Sequence, residues 1–402
     1  MSAPLRVGVY LADQNPHRDR SLGISTVTQS ILDGLSTVPD LDLTAWTSTS
    51  AIRPTAPVRT RSMPLRTDRA LPRLLADTFH PWLIPTRPDV WFYPKGYLSL
   101  IARPTRPALL LVHDTILDFY HRTYPEERSV ASYRYWLQVL ERSLRRADRI
   151  ATVSETSKRQ MQDFADRRGF QLPAIDVVYA ACHYEHLGPT YDTKQDYVLH
   201  LASDASHKRT RPLLDCWRQG IAEGRDLPRL VLIGALSPEL DAYARATPHV
   251  EVLARQPEES FIAYYQNALA VVVPSQIEGF GLPVLEGYAL GTPVCYTRGT
   301  SMEEVVGSLT DVGGFDLDDP ASLWSALDDA LRLDTTEIDT VRTALLERFS
   351  NERLRNRITG ALHRTAGVRS RQTAFFSEPH RERSIRFGLT AESGFGRGPM
   401  QV

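Results

Sequence analysis

Cysteine is scarce in these 402 residues: Cys182, Cys216 and Cys295 are scattered and odd in number. That excludes a disulfide framework and any cysteine-based metal spacing, and it fits a reducing cytoplasm. No apolar run reaches the roughly 18 residues of a membrane span. The opening "MSAPLRVGVYLAD" is too short and too interrupted to be a signal peptide. Net charge is also lacking, at −1, so neither nucleic acid nor a membrane attracts the chain in bulk. The charge is uneven, however. Residues 1–190 carry 24 Lys+Arg against 19 Asp+Glu, and the remainder carries 23 against 29, giving +5 and −6. An anionic partner is therefore expected, weakly, at the first half.

What is present is an ordinary globular composition, 42% hydrophobic and 24% charged, at a length suited to two domains. Short apolar runs alternate with helical periodicity. "RVGVYL", "DVWFYP", "ALLLVHD" and "RIATVSE" read as buried strands, with helices over 23–35 and 133–148. The pattern restarts after the polar "HLGPTYDTKQ" with "DYVLHLAS", "LVLIGA", "VEVL" and "ALAVVVPS". Helices are expected between them at 211–223 and 258–268. Strands alternating with helices predict an α/β protein with parallel sheets. Residues 51–73 hold six Arg and one Asp. They read either as a solvated mobile loop or as a contact for an anionic acceptor or a membrane surface.

One stretch is denser in meaning. In "ALAVVVPSQIEGFGLPVLEGYALGTPV" a strand buried on both faces ends at Pro274-Ser275, and a loop leads into a helix. Pro283 suits the first turn of that helix, and Gly291 suits its end. Glu278 then lies in the strand–helix loop and Glu286 about one turn inside the helix. Phe280, Gly281 and Leu282 stand at the helix start, where the free amides of Gly281 and Leu282 favour a phosphate. Carboxylates on either side repel phosphate but accept from hydroxyls. A ligand with hydroxyls flanking a phosphate group, such as a nucleotide sugar, has that form.

The stretch resembles the glutamate–seven–glutamate motif of retaining glycosyltransferases of the two-Rossmann-domain (GT-B) fold, especially family 4. The resemblance runs over residues 5–366, strongly at 196–310. It implies two Rossmann-like domains whose parallel sheets face across a cleft. Residues 1–190 would bind the acceptor and 191–345 the nucleotide sugar. A C-terminal helix, 346–367, would cross back to the first domain. Residues 368–402, rich in Arg, Gly and Ser and without sustained periodicity, read from composition as a mostly disordered tail in which "TAFF" (373–376) is the one segment that could dock. By the resemblance Glu286 grips the ribose hydroxyls, and Glu278 contacts the donor sugar near the reacting carbon. Lys208 in "HLASDASHKRT" matches the lysine that contacts the diphosphate. Ser203 stands where the family usually has arginine, which leaves the second phosphate contact open. His113 in "LLVHDT" would line the donor sugar pocket.

Gly23 in "RSLGIST" either approaches the diphosphate or simply starts a helix. Ser154 reads as a helix N-cap that opens onto the cleft. Ser301 and Glu304 read as a capping box. "FDLDD" reads as capping, and no metal or other cofactor is expected. The expected activity is transfer of a hexose from a nucleoside diphosphate sugar to a hydroxyl of a glycan, lipid or small molecule. A silent nucleotide-sugar-binding partner subunit, and a GT-B relative such as an epimerase or phosphorylase, are the alternatives. The expected location is cytoplasmic, with peripheral membrane contact through 51–73.

Overall fold

The computed structural model describes residues 3–14, 22–48, 54, 57–63, 67 and 70–376. Two parallel sheets divide them. The first holds β1 (Leu5–Tyr10), β2 (Leu41–Thr47), β3 (Arg59–Ser62), β4 (Val90–Tyr93), β5 (Ala108–Val112), β6 (Arg149–Thr152) and β7 (Ile175–Val177). Its order is β3-β2-β1-β4-β5-β6-β7. The second holds β8 (Tyr197–Leu201), β9 (Arg229–Ile233), β10 (Val250–Leu253), β11 (Ala270–Val273), β12 (Val294–Thr297) and β13 (Gly314–Phe315). Its order is β10-β9-β8-β11-β12-β13. Both orders reverse at an inner strand, between β1 and β4 and between β8 and β11. A crevice opens at such a reversal, outside the carboxyl ends of the strands.

Central strands such as "ALLLV" and "AVVV" are buried on both faces because helices cover both sides of each sheet. β3 differs. All four residues of "RTRS" are exposed, so it carries no apolar signal and reads as loop. It pairs with β2 through its backbone, in register Thr44 with Arg59 to Thr47 with Ser62. Part of the expected loop at 51–73 is thus an edge strand, and much of the rest lies outside the described residues. Burial of side chains need not accompany a ladder at an edge.

The chain leaves the second sheet through the helices Thr335–Arg348 and Asn351–Phe376. The latter packs against the Leu22–Ser36 helix and over β4, β5 and β6. It continues to Phe376, past the expected end at 367 and through "TAFF"; no proline or glycine interrupts "VRSRQTAFF". Residues 377–402 lie outside the described residues. At the bend between these helices sits Phe349, 1% exposed. Its ring lies 5.1 Å from Phe280 and 5.4 Å from Tyr179, centroid to centroid. Tyr179 follows the first sheet and Phe280 the second, so this cluster joins the two halves.

Phe349→Ala should therefore cost about 3–5 kcal/mol, as for other deeply buried aromatics. Urea unfolding measures it; a loss below about 1 kcal/mol would show that the junction collapses onto the cavity.

Candidate active site

Two loops meet where the second sheet reverses. The one after β8 ends in Lys208, and the one after β11 carries Glu278. Lys208 Nζ lies 2.5 Å from Glu278 Oε1. Their side chains are 27% and 13% exposed, so the pair is largely screened from water. Burial alone would push the Glu278 carboxyl up. Lys208, with lesser help from His207 and Ser275, outweighs it and holds the group below its ordinary value. Glu278 is an ionised carboxylate at neutral pH.

Glu286 is treated in the opposite way. It sits on the Leu282–Ala289 helix, close to Cys182, Tyr184 and Tyr265. Burial pushes its pKa up to about 7, against smaller opposing effects of Tyr265 and Lys208. One lysine thus lies within electrostatic reach of both glutamates. Gly281 caps this helix at φ 108°, a left-handed conformation that favours glycine, and a Cβ there would lie 2.9 Å from Met302 Cγ. The first-turn amides it introduces are orphan donors of the kind that receive anions. The ring of Phe280, by contrast, is buried in the junction cluster.

The first domain contributes from the ends of β5 and β6. His113 Nε2 donates to the Pro94 carbonyl at 2.8 Å, and burial lowers its pKa to about 4. The ring is neutral, with Nδ1 left as an acceptor. Next to it, burial raises the Asp114 carboxyl, and the Glu278 charge adds to the effect. Tyr120 Oη lies 2.7 Å from His207 Nδ1, across the joint and beside Lys208. Burial and the Lys208 charge push His207 down to about 4, so it too is neutral. At Gly279 the two backbones come together: a Cβ there would stand 2.6 Å from the His113 carbonyl oxygen. Ser154 Oγ and Ser157 Oγ both donate to the Gly279 carbonyl, at 2.6 and 2.8 Å.

Lys208, Glu278, His113 and the Gly281–Leu282 turn are therefore neighbours. Ser203 is in the same loop as Lys208, but its hydroxyl accepts from the Ala205 amide at 3.2 Å and shapes the turn. Gly23 is exposed near the start of its helix, and a Cβ there would meet nothing within 4 Å. Ser154 caps its helix by accepting from the Ser157 amide. The capping box at Ser301 and Glu304 is absent. Thr300 caps that helix instead. Ser301 Oγ donates to the Glu278 carbonyl at 3.0 Å, and the Glu304 carboxylate reaches across to the first domain. In "FDLDD", Asp319 caps the Pro320–Arg332 helix, while Asp318 pairs with Arg209. Asp114, Tyr120, His207 and Gly279 carried no signal of their own in the sequence. Each flanks a residue that did, or lies beside one in space.

Residues 195–332 match the family model described as glycosyl transferases group 1. The O-antigen chain mannosyltransferase B of Escherichia coli is 29% identical over 304 residues, 70% of this chain and 76% of that protein. The MMP alpha-(1->4)-mannosyltransferase of Mycolicibacterium hassiacum is 27% identical over 228 residues, 52% and 53% of the two chains. HepE of Anabaena, solved with UDP and glucose, superposes with a TM-score of 0.62 at 14% identity, covering 89% of this chain and 99% of that one.

The Glu286 environment also sets a pH dependence of stability. An unfolded glutamate titrates near 4.3, whereas Glu286 titrates at about 7 in the folded chain. Between those values the folded state holds a proton that the unfolded state releases. Stability from this group therefore falls as pH rises through the window and is lowest above it. Glu286→Gln should raise Tm at pH 8, and the gain should shrink toward zero near pH 4. A variant less stable than the parent at pH 8 would contradict the burial argument.

Proposed function

We propose that this chain, a glycosyltransferase with the GT-B architecture, is a retaining, metal-independent hexosyltransferase using a nucleoside diphosphate sugar. The observation that carries the reading is the Lys208–Glu278 pair at the reversal of the second sheet, beside an open helix N-terminus. The donor's diphosphate takes Lys208 and the amides of Gly281 and Leu282. Lys208 is then shared with phosphate, and Glu278 is freed to meet the sugar beside its reacting carbon. Glu286, ionised by the binding event, accepts from the ribose hydroxyls. His113 lines the sugar pocket from the first domain. The bond from the anomeric carbon to the phosphate oxygen breaks as the acceptor oxygen approaches on the same face. The leaving phosphate oxygen takes the acceptor proton, so no protein nucleophile is required and configuration is retained. The names of both mannosyltransferase relatives favour mannose as the sugar.

Donor consumption should proceed in EDTA and be separable into two roles. Glu286→Ala removes contacts that do not change during reaction, so it should mainly raise the donor KM, by about a hundredfold for two lost charge-assisted hydrogen bonds. Glu278→Ala should leave nucleoside diphosphate affinity nearly intact and lower kcat roughly 10²- to 10³-fold. Calorimetry with the nucleoside diphosphates, beside steady-state rates, measures both. Loss of nucleotide binding in Glu278→Ala with retention in Glu286→Ala would reverse the assignment.

The acceptor is proposed to be a glycan, lipid or small-molecule hydroxyl, reached from a membrane surface. Among the described residues no helix is long and apolar enough to cross a membrane. The Ala70–Leu83 helix nevertheless exposes Leu74, Leu75, Trp82 and Leu83, with Trp82 at 66%. The segment alongside it exposes Ile101 at 56%. Arg103, Arg142 and Arg146 gather at that segment closely enough to depress the Arg146 pKa after burial has done so. An apolar stripe edged by arginines fits an anionic bilayer surface. This shifts the expected contact from 51–73 to the helix that follows. The protein should float with vesicles containing phosphatidylglycerol and not with pure phosphatidylcholine. Trp82→Ser with Leu75→Ser should abolish flotation; binding that persists in that variant would remove the helix from the interface.

A further inference from the structure

The Ser301–Val306 helix divides its polar side chains between two domains. Thr300 and Glu303 serve locally: Thr300 Oγ1 accepts from the Met302 amide, and Glu303 from the Gly299 amide. Ser301 holds the Glu278 carbonyl. Glu304 faces the other way. Its Oε1 accepts from the Glu155 amide at 2.7 Å, and its Oε2 accepts from the Thr156 amide and hydroxyl, each at 2.8 Å. These amides belong to the first two positions of the Glu155–Arg167 helix in the first domain. The third position is satisfied by that helix's own cap, Ser154. Among the described residues the first domain places no side chain of its own on the first two donors, and the second domain supplies one.

We propose that Glu304 is a positioning residue that fixes the closed distance between the two halves of the site. The helix it caps carries Ser157. The Ser157 hydroxyl lies 2.9 Å from the His113 carbonyl and 2.8 Å from the Gly279 carbonyl, one residue after Glu278 in the second case. Glu304 thus grips one end of a short linkage whose other end sets His113 against the Glu278 loop. Ser301, three residues away on the same turn, steadies Glu278 itself. No Lys or Arg ion pair to Glu304 occurs among the described residues. Its charge is met by two amides, a hydroxyl and the positive end of the helix dipole. Water can replace all of these when the domains part, so the contact can form and break within a catalytic cycle. Two reacting groups displaced by about 1 Å lose on the order of a hundredfold in rate, and this joint sets that distance.

The inference rests on the transferase reading for its rate effect but not for its structural one. Glu304→Ala should lower kcat roughly 10- to 100-fold, with donor KM and nucleoside diphosphate affinity within about twofold of the parent, because every proposed nucleotide contact lies in the second domain. Glu304→Gln keeps one acceptor oxygen and should recover part of the rate. Independently, hydrogen exchange at the Glu155 and Thr156 amides should speed up in Glu304→Ala, while the Tm changes little. An unchanged kcat, or nucleotide affinity falling in step with kcat, would overturn the positioning role. Unchanged exchange at those two amides would overturn the contact itself, whatever reaction the chain performs. Faster exchange in a chain that transfers no sugar would keep the contact and reject the transferase reading instead.

Discussion

The site is organised around keeping one carboxylate charged in a place that disfavours charge. Glu278 is buried enough for desolvation to be the largest single influence on it, yet it stays ionised because Lys208 lies at 2.5 Å. Other features follow from that pair. His207 is held neutral beside it, so no second cation competes for Glu278. Asp114, the next carboxyl along, is pushed toward its protonated form by burial and by the Glu278 charge. Glu286 shares only a distant part of Lys208 and rises to about 7. Two glutamates eight residues apart are thereby given different chemistry by environment alone.

The joint between the domains follows a second constraint. Backbones can approach closely only where side chains are absent, and Gly279 allows the His113 carbonyl to come near. The groups around it are hydroxyls, amides and a carboxylate, which water can satisfy when the joint opens. Apolar contact between the halves includes the rings of Tyr179, Phe280 and Phe349, near the point where the chain returns to the first domain.

Much of this was legible in the sequence, for identifiable reasons. Strands buried on both faces announce themselves as apolar runs, so β4, β5, β8 and β11 were readable. Glu278, Pro283, Glu286 and Gly291 fell where the strand–loop–helix pattern put them. β3 was not readable, because an exposed edge strand needs only backbone partners. Glu304 was misread for a related reason. Ser-x-x-Glu specifies a capping box only when no better donor lies within reach, and two amides of another domain do. Ser203 and Phe280 showed the limit of motif matching: position in a motif does not say which way a side chain points.

The charge distribution gives the last lesson. The second half of the sequence is the acidic one, at −6 by count, and yet it holds the candidate anion site. Net charge acts over distances that salt screens within about 8–10 Å. A lysine in contact and a helix N-terminus act inside that distance, where a dry pocket strengthens them. The exposed carboxylates of the second half, many paired with arginines such as Arg229 and Arg245, add little at the site. The excess of arginine in the first half would act instead at the proposed membrane surface, where many weak contacts add. A nucleotide and a membrane are both anionic, but as proposed here the first would be read by two or three groups and the second by a field.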